Sequence, residues 1–381
     1  MSEHYDAVVI GGGPVGAAAA LALRAAGLKL MLIETRGAAV PATDSRPLAL
    51  SYGSRLILER LNVWDALAPA TAIERIHVSQ RGGFGRAVLS GAEARVPALG
   101  YVVDYAGLVA ALESAVATSG LRIERDARVV SIAHGAESAR IEFETPAGVA
   151  ECDASIVAVA HGMPLAGAVD VRSVDYGQSV VTARVSTEVA HGHTAYERFT
   201  SDGPVALLPY AESYALVWTV GAEQAPALCE VPPEAFLARL QDCFGERLGR
   251  FTTVGARVAH RIALRVAVDT TVGRAVLIGN AAQTLHPVAG QGFNLGLRDA
   301  WELVTEIRRR GAQDAGLTAA YRARRRIDRT AGIGFTHALV RLFSNEWLPL
   351  ALVRGAGLTL LDCLPPAKDF VVRRMIFGAR G

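Results

Sequence analysis

The sequence predicts an α/β fold: a parallel sheet covered by helices, an antiparallel sheet inserted into it, and a helical C-terminal region. The chain opens on short apolar runs separated by an Ala- and Leu-rich helical segment, a pattern typical of buried parallel strands joined by a helix. Its middle alternates apolar and polar residues, and from Phe293 onward the apolar spacing is almost wholly helical. With 381 residues, 51% of them hydrophobic, the chain can build one large domain or two interleaved domains.

The N-terminal segment has the pattern of a strand, a helix and a second strand. Tyr5–Ile10 is an apolar run of strand length, Val15–Ala26 is rich in small helix-forming residues, and Leu28–Ile33 is again apolar. Gly27 follows the helical run, at a place where helices commonly end. This order predicts a βαβ unit whose two strands are parallel.

The remaining elements follow in chain order. Asp104 is a predicted N-cap for a helix that runs to Thr118, and Leu48–Leu61 and Pro233–Phe244 are also predicted helices. Short alternating runs bounded by Gly or Pro predict strands. These lie between Ile73 and Val96, and at Ala127–Ala133, Ala139–Thr145, Ala154–Ala160, Ser173–Ser186, Thr194–Thr200, Val205–Leu208, Tyr214–Gly221, Gly255–Val266 and Ala275–Ile278.

The chain has no internal repeat and no low-complexity linker, so the α/β segments at its two ends are predicted to form one domain. Residues 1–72, 98–172 and 268–340 are assigned to that domain. Residues 73–97 and 173–267 form the inserted sheet domain, and residues 341–381 form a helical C-terminal region.

Composition argues against several classes of protein. The formal net charge of +2 gives no basic field for nucleic acid. The four cysteines are widely spaced, which favours reduced thiols over disulfides or a zinc site, and no metal is expected. A strand predicted from Tyr5 leaves no room for a signal peptide, and no uncharged apolar run reaches the ~18 residues of a membrane span. We therefore expect a cytoplasmic protein.

The first glycine-rich stretch, Gly11-Gly12-Gly13-Pro14-Val15-Gly16, joins the first predicted strand to the first helix. In this context Gly11 allows a tight turn, Gly13 lets the backbone approach a pyrophosphate, and Gly16 lets the helix pack on the strand. Glu34 ends the next strand, 18 residues beyond Gly16, where a carboxylate can accept hydrogen bonds from a ribose diol. The stretch predicts a dinucleotide site at the N-terminus of the first helix.

The second glycine-rich stretch runs from Gly279 to Gly296 and reads Gly-Asn-Ala-Ala-Gln-Thr-Leu-His-Pro-Val-Ala-Gly-Gln-Gly-Phe-Asn-Leu-Gly. It follows a predicted strand and leads into a helix, so it places a second helix N-terminus against an electron-rich group. A glycine-rich loop with a structurally satisfied histidine is the plainer interpretation, and periodicity does not decide between the two.

This second stretch resembles the second FAD motif of the aromatic-ring flavoprotein monooxygenases, in the branch of ubiquinone-biosynthesis FAD-dependent hydroxylases that includes the 2-polyprenyl-6-methoxyphenol hydroxylases. Further similarity lies in Asp44-Ser45-Arg46, Tyr101-Val102-Val103, Glu197-Arg198-Phe199-Thr200 and Leu342-Phe343-Ser344-Asn345, so the resemblance covers nearly the whole chain. It implies a p-hydroxybenzoate hydroxylase-like fold, in which a Rossmann-like FAD-binding domain carries an inserted antiparallel-sheet substrate domain and a helical C-terminus.

The resemblance also implies which residues hold FAD. Gly11, Gly13, Gly16 and Glu34 would bind the ADP half. Arg46 stands where the family has an arginine near the cofactor. Asn280 takes the place of an aspartate that binds the ribityl chain, and an amide still hydrogen-bonds a hydroxyl. The other implied FAD contacts are Val129, Pro287, Gly290, Gln291, Gly292, Phe293 and Asn294.

The activity implied by the resemblance is hydroxylation of a polyprenylated phenol in ubiquinone biosynthesis. The resemblance implies that NAD(P)H would reduce FAD, that reduced flavin and O2 would form a C4a-hydroperoxide, and that its distal oxygen would attack the ring. His286, Pro287 and Tyr210 are the candidate catalytic residues. His286 and Tyr210 are candidates for accepting the phenol proton, although both also have a structural interpretation.

One position departs from the family. Where the family has Asp-Gly after a buried strand, this chain has His161-Gly162. The family's aspartate helps to bind both FAD and the nicotinamide donor, so we expect FAD to bind and reduction by NAD(P)H to be impaired. A non-catalytic or partner-dependent flavoprotein subunit of a quinone-biosynthesis complex is the alternative. An NAD-dependent dehydrogenase would use only the first glycine-rich stretch and leaves the second unexplained.

Arginines cluster toward the C-terminus, at Arg308-Arg309-Arg310 and between Arg322 and Arg329. Solvated helix faces explain them most simply. The resemblance adds a second interpretation, a peripheral contact with anionic lipid of the inner membrane or with a partner that carries a quinone precursor.

Overall fold

The computed structural model describes residues 3–37, 46–67, 69–161, 169–285, 290–343 and 348–379. Within these residues the chain forms an eight-stranded, a nine-stranded and a three-stranded sheet, with helices packed against them. The predicted α/β fold with an inserted sheet and a helical C-terminus is confirmed.

The eight-stranded sheet has a parallel centre. Its parallel strands are β1 (Glu3–Ile10), β2 (Leu30–Ile33), β8 (Arg122–Glu124), β11 (Gly148–Val159) and β19 (Ala275–Leu277), and its antiparallel additions are β9 (Arg128–His134), β10 (Ala139–Thr145) and β18 (Thr271–Val272). The order β18-β19-β11-β1-β2-β8 places β1 in the middle, and β10 and β9 extend from β11. The predicted βαβ opening therefore forms the centre of the sheet.

Both faces of β1 are buried, which explains its continuous apolar sequence. Ala7 and Val9 face a core that includes the helices α1 (Pro14–Ala25), α3 (Tyr105–Thr118) and α6 (Gln291–Arg310), while Val8 and Ile10 face the antiparallel strands. The Asp104 carboxylate accepts a hydrogen bond from the Gly107 amide at 3.1 Å, so the predicted N-cap of α3 is confirmed.

The strands of the nine-stranded sheet are β5 (Arg75–Gln80), β6 (Arg86–Ser90), β12 (Val171–Thr187), β13 (Thr194–Thr200), β14 (Gly203–Tyr210), β15 (Ser213–Gly221), β16 (Phe251–Val254), β17 (Val258–Ala267) and β20 (Gln283–Thr284). The sheet is antiparallel except where β5 and β13 pair in parallel. Its order is β20-β17-β12-β15-β14-β13-β5-β6, with β16 paired to β12. The predicted division into domains stays a prediction, and β12 runs through its boundary after residue 172.

The three-stranded sheet corrects the sequence analysis. It consists of β3 (Pro47–Ser51), β7 (Gly100–Asp104) and β4 (Thr71–Ile73) in that order. Leu48 to Ser51 were predicted as helix, but they pair antiparallel with β7. The Ser51 hydroxyl accepts a hydrogen bond from the Ser54 amide at 3.2 Å and caps the next helix, so α2 (Tyr52–Arg60) begins only there.

Five further helices complete the described chain: α4 (Gln224–Glu230), α5 (Pro233–Phe244), α7 (Leu317–Phe343), α8 (Leu348–Cys363) and α9 (Pro365–Phe377). The bounds of α5 match the prediction. α9 returns to the N-terminal half, where the Ser51 hydroxyl donates to the Ile376 carbonyl at 3.1 Å. The C-terminal helices thereby reach the same region as the glycine-rich stretches.

Candidate active site

A cavity of 1010 Å³ is lined by residues of both large sheets, the small sheet and the helices α6 to α9. The structure brings most of the predicted site residues together in its lining: Gly11, Gly13, Glu34, Arg46, Val129, Asn280, Gly290, Gln291, Gly292, Phe293 and Asn294. Gly16 and Tyr210 are not part of the lining. His286 and Pro287 lie outside the described residues.

The first glycine-rich stretch forms a tight turn that opens into the cavity. Gly11 has a φ of +98°, and a Cβ on Gly16 would lie 1.9 Å from the Gly11 carbonyl oxygen, so Gly16 serves close packing of α1 on the turn. Gly13 is the N-cap of α1 without a side-chain cap, and a Cβ there would meet nothing within 4 Å. The helix N-terminus is therefore accessible to an anion, which its free amides and dipole favour.

Glu34 directly follows β2 in the same part of the cavity and is 6% exposed. Its Oε2 accepts hydrogen bonds from the Gly12 amide at 2.6 Å and from the Arg36 guanidinium at 3.1 Å, and its Oε1 accepts one from the Arg36 amide at 3.0 Å. Burial acts to raise the pKa of Glu34, but the Arg36 hydrogen bonds and charge outweigh it and hold the pKa below its usual range. The group is therefore a carboxylate at neutral pH.

The second glycine-rich stretch brings a second helix N-terminus to the cavity. Gly290 is the N-cap of α6 in a left-handed conformation, with a φ of 58°, which glycine adopts without steric cost. A Cβ on Gly292 would meet nothing within 4 Å, so the first turn of α6 also faces open space. Asn280 is exposed and lines the cavity.

Asn294 has a structural function that sequence reasoning missed. Its side-chain amide donates to the Ala49 carbonyl at 3.0 Å and to the Gly290 carbonyl at 2.7 Å. Its Oδ1 accepts from the Ser51 amide at 2.8 Å and from the Ser54 hydroxyl at 2.7 Å. These four bonds use the whole hydrogen-bonding capacity of the amide, so Asn294 ties α6 to β3 and α2 and offers no polar atom to a ligand.

The structure places three other predicted residues in different surroundings. The Arg46 guanidinium lies over the ring of Tyr105 at 4.7 Å, and both residues line the cavity. Val129 lines it from β9. Tyr210 ends β14 with its ring under the Arg184 guanidinium, 4.5 Å away, and its catalytic role stays a prediction without support from this geometry.

His161 follows the end of β11 and lines the cavity. It lies against the first glycine-rich stretch: a Cβ on Gly11 would be 2.8 Å from the backbone nitrogen of His161. Its Nδ1 is enclosed and has no hydrogen-bond partner among the residues that the structure describes. The position that departs from the family is thus part of the cofactor end of the cavity.

The other end of the cavity is predominantly apolar. On one side its apolar residues come from five strands of the nine-stranded sheet: Ile76, Val78, Val180, Ala195, Phe199, Pro204, Ala206, Leu208, Ala215 and Val217. The same sheet also contributes Thr182, Thr219, Tyr196, His260 and Arg261 to the lining. The C-terminal helices supply the facing residues: Phe335, Leu339, Leu358, Leu361, Val371, Val372, Met375 and Ile376. Such a lining suits an apolar ligand and excludes water.

Glu197 interrupts this apolar lining, and sequence reasoning missed it. In the described residues, Glu34 and Glu197 are the carboxyl groups that line the cavity. The Oε1 of Glu197 is enclosed and has no hydrogen-bond partner among them, and burial raises the pKa of Glu197 to about 7. The alternation of Ala195, Glu197 and Phe199 was the available signal, since it places the glutamate on the apolar face of its strand.

The C-terminal arginines are divided between surface and interior. Five of them, Arg308, Arg309, Arg310, Arg322 and Arg326, are exposed, as expected for solvated helix faces, and their contact with lipid stays a prediction. Arg325 is buried between Asp299 and Asp328, at 2.8 and 2.6 Å. Arg324 pairs with Glu302 and Glu306. Because Asp299 also accepts a hydrogen bond from the Gly279 amide at 3.0 Å, these ion pairs fix α7 to α6 and to the second glycine-rich stretch. Of the exposed arginines, Arg309 and Arg310 pair with Glu306, and Arg322 pairs with Asp269.

Across the described ranges, no single helix is both long and apolar enough to cross a membrane. Two consecutive helical segments, Pro349–Cys363 and Pro365–Phe377, meet the criteria of length and composition only together, with a bend of 95° between them.

Residues 4–331 match the family model described as FAD binding domain. The chain is 31% identical over 383 residues to the ubiquinone hydroxylase UbiL of Rhodospirillum rubrum, covering 97% of this chain and 88% of the relative. It is 30% identical over 378 residues to the 3-demethoxyubiquinol 3-hydroxylase of Escherichia coli, covering 94% of each.

The crystal structure of the p-nitrophenol 4-monooxygenase PnpA from Pseudomonas putida has the same fold, with a TM-score of 0.75 over 100% of both chains at 18% identity. The family model spans most of the chain, and the two hydroxylases are similar over nearly all of it. The chain therefore belongs to the family of FAD-dependent monooxygenases that includes the ubiquinone hydroxylases.

Proposed function

We propose that this chain hydroxylates the aromatic ring of a polyprenylated phenol in ubiquinone biosynthesis, using FAD, NAD(P)H and O2. One observation carries the proposal: a single cavity joins two glycine-rich helix N-termini to a large apolar lining. The first part suits a dinucleotide and its flavin ring, and the second suits an isoprenoid chain. The names of two relatives, a ubiquinone hydroxylase and a 3-demethoxyubiquinol 3-hydroxylase, support a substrate of this class.

The ADP half of FAD would bind at the first glycine-rich stretch. The open first turn of α1 at Gly13 suits the pyrophosphate, because amides and the helix dipole stabilise its negative charge. Glu34 is kept ionised and suits the ribose hydroxyls as a hydrogen-bond acceptor. Arg46 and Val129 line the same cavity and complete the proposed contacts.

The flavin half would lie along the second stretch. Asn280 is exposed to the cavity and suits the ribityl hydroxyls. The first turn of α6, from Gly290 to Phe293, faces the cavity and would stabilise negative charge on the flavin ring. When bound, FAD would supply the redox chemistry, accepting electrons from NAD(P)H and activating O2.

The apolar end would bind the isoprenoid tail. Burial stabilises by about 0.8 kcal/mol per CH2 group, so even a short tail gains several kcal/mol. The same lining keeps water away from the reacting ring, which protects an oxygen-transfer reaction from side reactions.

The test uses the purified protein reconstituted with FAD and supplied with NADH or NADPH, isotopically heavy O2 and 2-farnesylphenol. We expect a hydroxylated product that carries one heavy oxygen atom, detected by mass spectrometry. Failure to bind FAD would overturn the proposal as a whole. FAD binding and NAD(P)H oxidation without any hydroxylated product would overturn the hydroxylase function.

The alternative function, a non-catalytic or partner-dependent flavoprotein subunit, is favoured by one observation, the place of His161 beside the first glycine-rich stretch. It predicts that dithionite reduces the bound flavin while NADH and NADPH do not. An NAD-dependent dehydrogenase predicts a colourless protein that binds NAD without a flavin.

We also propose a peripheral contact with the membrane surface through α8 and α9, to which exposed apolar side chains contribute most. Leu352, Val353, Leu360 and Phe370 are 55 to 63% exposed. Leu358 lies on the same α8 and lines the cavity. A helix with one face toward lipid and another toward the cavity suits a substrate that is dissolved in the bilayer.

Liposome flotation tests this contact. The triple variant L352S/L360S/F370S should lose the lipid-bound fraction, and high salt should change it little because apolar burial is not screened. Val149→Ser is the matched control, since Val149 is 67% exposed near the start of β11. The proposal would be contradicted if high salt abolished recovery of the protein with the liposomes while the triple variant was recovered as well as the wild type.

A further inference from the structure

Glu197 stands in an apolar row that crosses the nine-stranded sheet. In the ladder it is paired with Val78 on β5 and with Ala206 on β14, and Ala206 is paired with Val217 on β15. Side chains that are paired across strands lie on the same face of a sheet, and all four line the cavity. A carboxyl group therefore occupies a position that the pattern of the strand reserves for an apolar residue.

The neighbours along β13 locate Glu197 within the cavity. Ala195 packs in a cluster with Ala49. The Cβ of Ala49 is 3.3 Å from where a Cβ on Gly290 would lie, so Ala195 is close to the proposed flavin loop. Phe199 packs with Leu358 of α8. Since alternate residues of a strand are about 7 Å apart, Glu197 lies between the flavin loop and the apolar end.

No protein group in the described chain compensates for the burial of this carboxyl. Oε1 has no hydrogen-bond partner there, in contrast to Asp299, which binds Arg325, Gln283 and the Gly279 amide. The other titratable groups that line the sheet side are Tyr196, His260 and Arg261, and Arg261 pairs with Asp175 at 3.2 Å. A buried polar atom without a partner is costly, and its position in a cavity indicates that a ligand supplies the partner.

We propose that Glu197 binds the ring hydroxyl of the substrate and accepts its proton. The proposal rests on the function proposed above. In this step the phenol O–H bond breaks and a bond forms between the proton and a Glu197 carboxylate oxygen. The electron pair stays on the phenolic oxygen as phenolate and raises the electron density of the ring. No oxidation or reduction occurs in this step.

Two further features of the site agree with this role. A proton acceptor works best when its pKa lies near the working pH, and burial raises the pKa of Glu197 to about 7. The position between flavin loop and apolar end is also where the phenol ring of a prenylated substrate would lie if its tail occupied the apolar lining.

The experiment compares the FAD-loaded wild type with E197Q, which keeps the shape and removes the basic group, and with E197L, which matches the apolar lining. Glu137→Gln is the control, because Glu137 is exposed on the β9–β10 turn. For 2-farnesylphenol, we expect E197Q to lower kcat by about 100-fold or more. Wild-type kcat/KM should rise with pH around about 7, and this rise should be absent in E197Q. FAD content and the rate of flavin reduction should be unchanged.

Binding of 2-farnesylphenol and of its methyl ether gives a readout that does not require turnover. The wild type should bind the phenol about 10-fold more tightly than the ether, because a hydrogen bond to a charged group is lost in the ether. E197L should bind the two equally, and E197Q should show a smaller preference than the wild type because its amide oxygen is an uncharged acceptor. If the wild type shows this preference but no hydroxylation, the proposed function fails and the Glu197 contact stands. The assignment of Glu197 would be overturned if E197Q had the same kcat and pH profile as the wild type. It would also be overturned if the wild-type protein bound the phenol no more tightly than the ether.

Discussion

Glu34 and Glu197 line the same cavity, but their surroundings shift their pKa values in opposite directions. Glu34 receives hydrogen bonds from two backbone amides and a guanidinium, which overcome its burial and lower its pKa. Glu197 is surrounded by apolar side chains, and burial alone raises its pKa to about 7. The same side chain is therefore a fixed negative charge at one end of the cavity and a group that can exchange a proton at the other.

The comparison extends to the two ends as a whole. The cofactor end uses backbone amides, glycines and a carboxylate, a set of groups that binds a charged dinucleotide by hydrogen bonds. The substrate end uses aliphatic side chains from strands and helices, and it binds by excluding water. One cavity thereby combines two binding modes, and each can be disrupted without the other.

The largest effect is expected at the cofactor end, from Gly13→Val. A side chain there would occupy the open space at the α1 N-terminus, where we place the pyrophosphate, and the loss of hydrogen bonds to a charged group should weaken FAD binding by about 100- to 10,000-fold. The backbone of Gly13 has a φ of −61°, and a Cβ would meet no protein atom within 4 Å, so the fold should persist. Flavin absorbance after reconstitution and gel filtration measures the effect.

Gly357→Val is the control for that change. Gly357 is exposed on α8, and a Cβ there also meets nothing within 4 Å. It should retain FAD fully. If the Gly13→Val protein retained as much flavin as the control, the proposed location of the pyrophosphate at this turn would be wrong.

The second prediction tests the opposite pKa shifts through stability. Between pH 4.5 and about pH 7, the folded chain binds a proton at Glu197 that the unfolded chain lacks. The free energy of unfolding therefore falls as the pH rises through this window, by up to about 3 kcal/mol. Glu197→Gln should therefore stabilise the FAD-free protein at about pH 8 and much less at about pH 5. Urea unfolding at both pH values measures it.

Glu34→Gln should behave in the opposite way. Because the pKa of Glu34 is lowered in the folded chain, its carboxylate stabilises the fold at pH values above the ordinary pKa of glutamate. That contribution is lost as the pH falls through the pKa of the folded state. The variant should thus be less stable than wild type at neutral pH and approach it in acid. If both variants shift stability in the same direction at neutral pH, the contrast between the two carboxyls is wrong.

The smallest effect is expected from His161→Asp, which restores the family residue at the cofactor end. An aspartate offers acceptor oxygens to the cofactors where the imidazole offers at most one acceptor. Flavin reduction by NAD(P)H should become faster by about 5- to 150-fold, equivalent to about 1 to 3 kcal/mol of hydrogen bonding, with FAD content unchanged. Stopped-flow bleaching of the flavin measures the rate, and His193→Asp, at an exposed histidine, is the control. A wild type that is already fast and a variant that is no faster would make His161 a neutral difference.

Local patterns in the sequence were sufficient for much of the fold. The first glycine-rich stretch, the N-cap at Asp104 and the helix Pro233–Phe244 depend on residues within a few positions of one another, and the structure has each of them. The resemblance to the flavoprotein monooxygenases implied that both glycine-rich stretches hold one cofactor, and in the structure each follows a strand of the same parallel sheet. Short-range sterics and hydrogen bonds explain why these features are readable from sequence.

Other features depended on partners far away in the chain. Leu48 to Ser51 form a strand because β7 is available for pairing. The Asn294 amide is satisfied by Ser51 and Ala49, more than 240 residues away. Arg325 is internal because Asp299 approaches it from α6, and Glu197 is uncompensated because every strand around it presents an apolar residue. The sequence by itself determined which groups the chain contains and their local conformation. The tertiary structure decided which charges are neutralised and which remain, because desolvation and pairing are set by residues that only folding brings together.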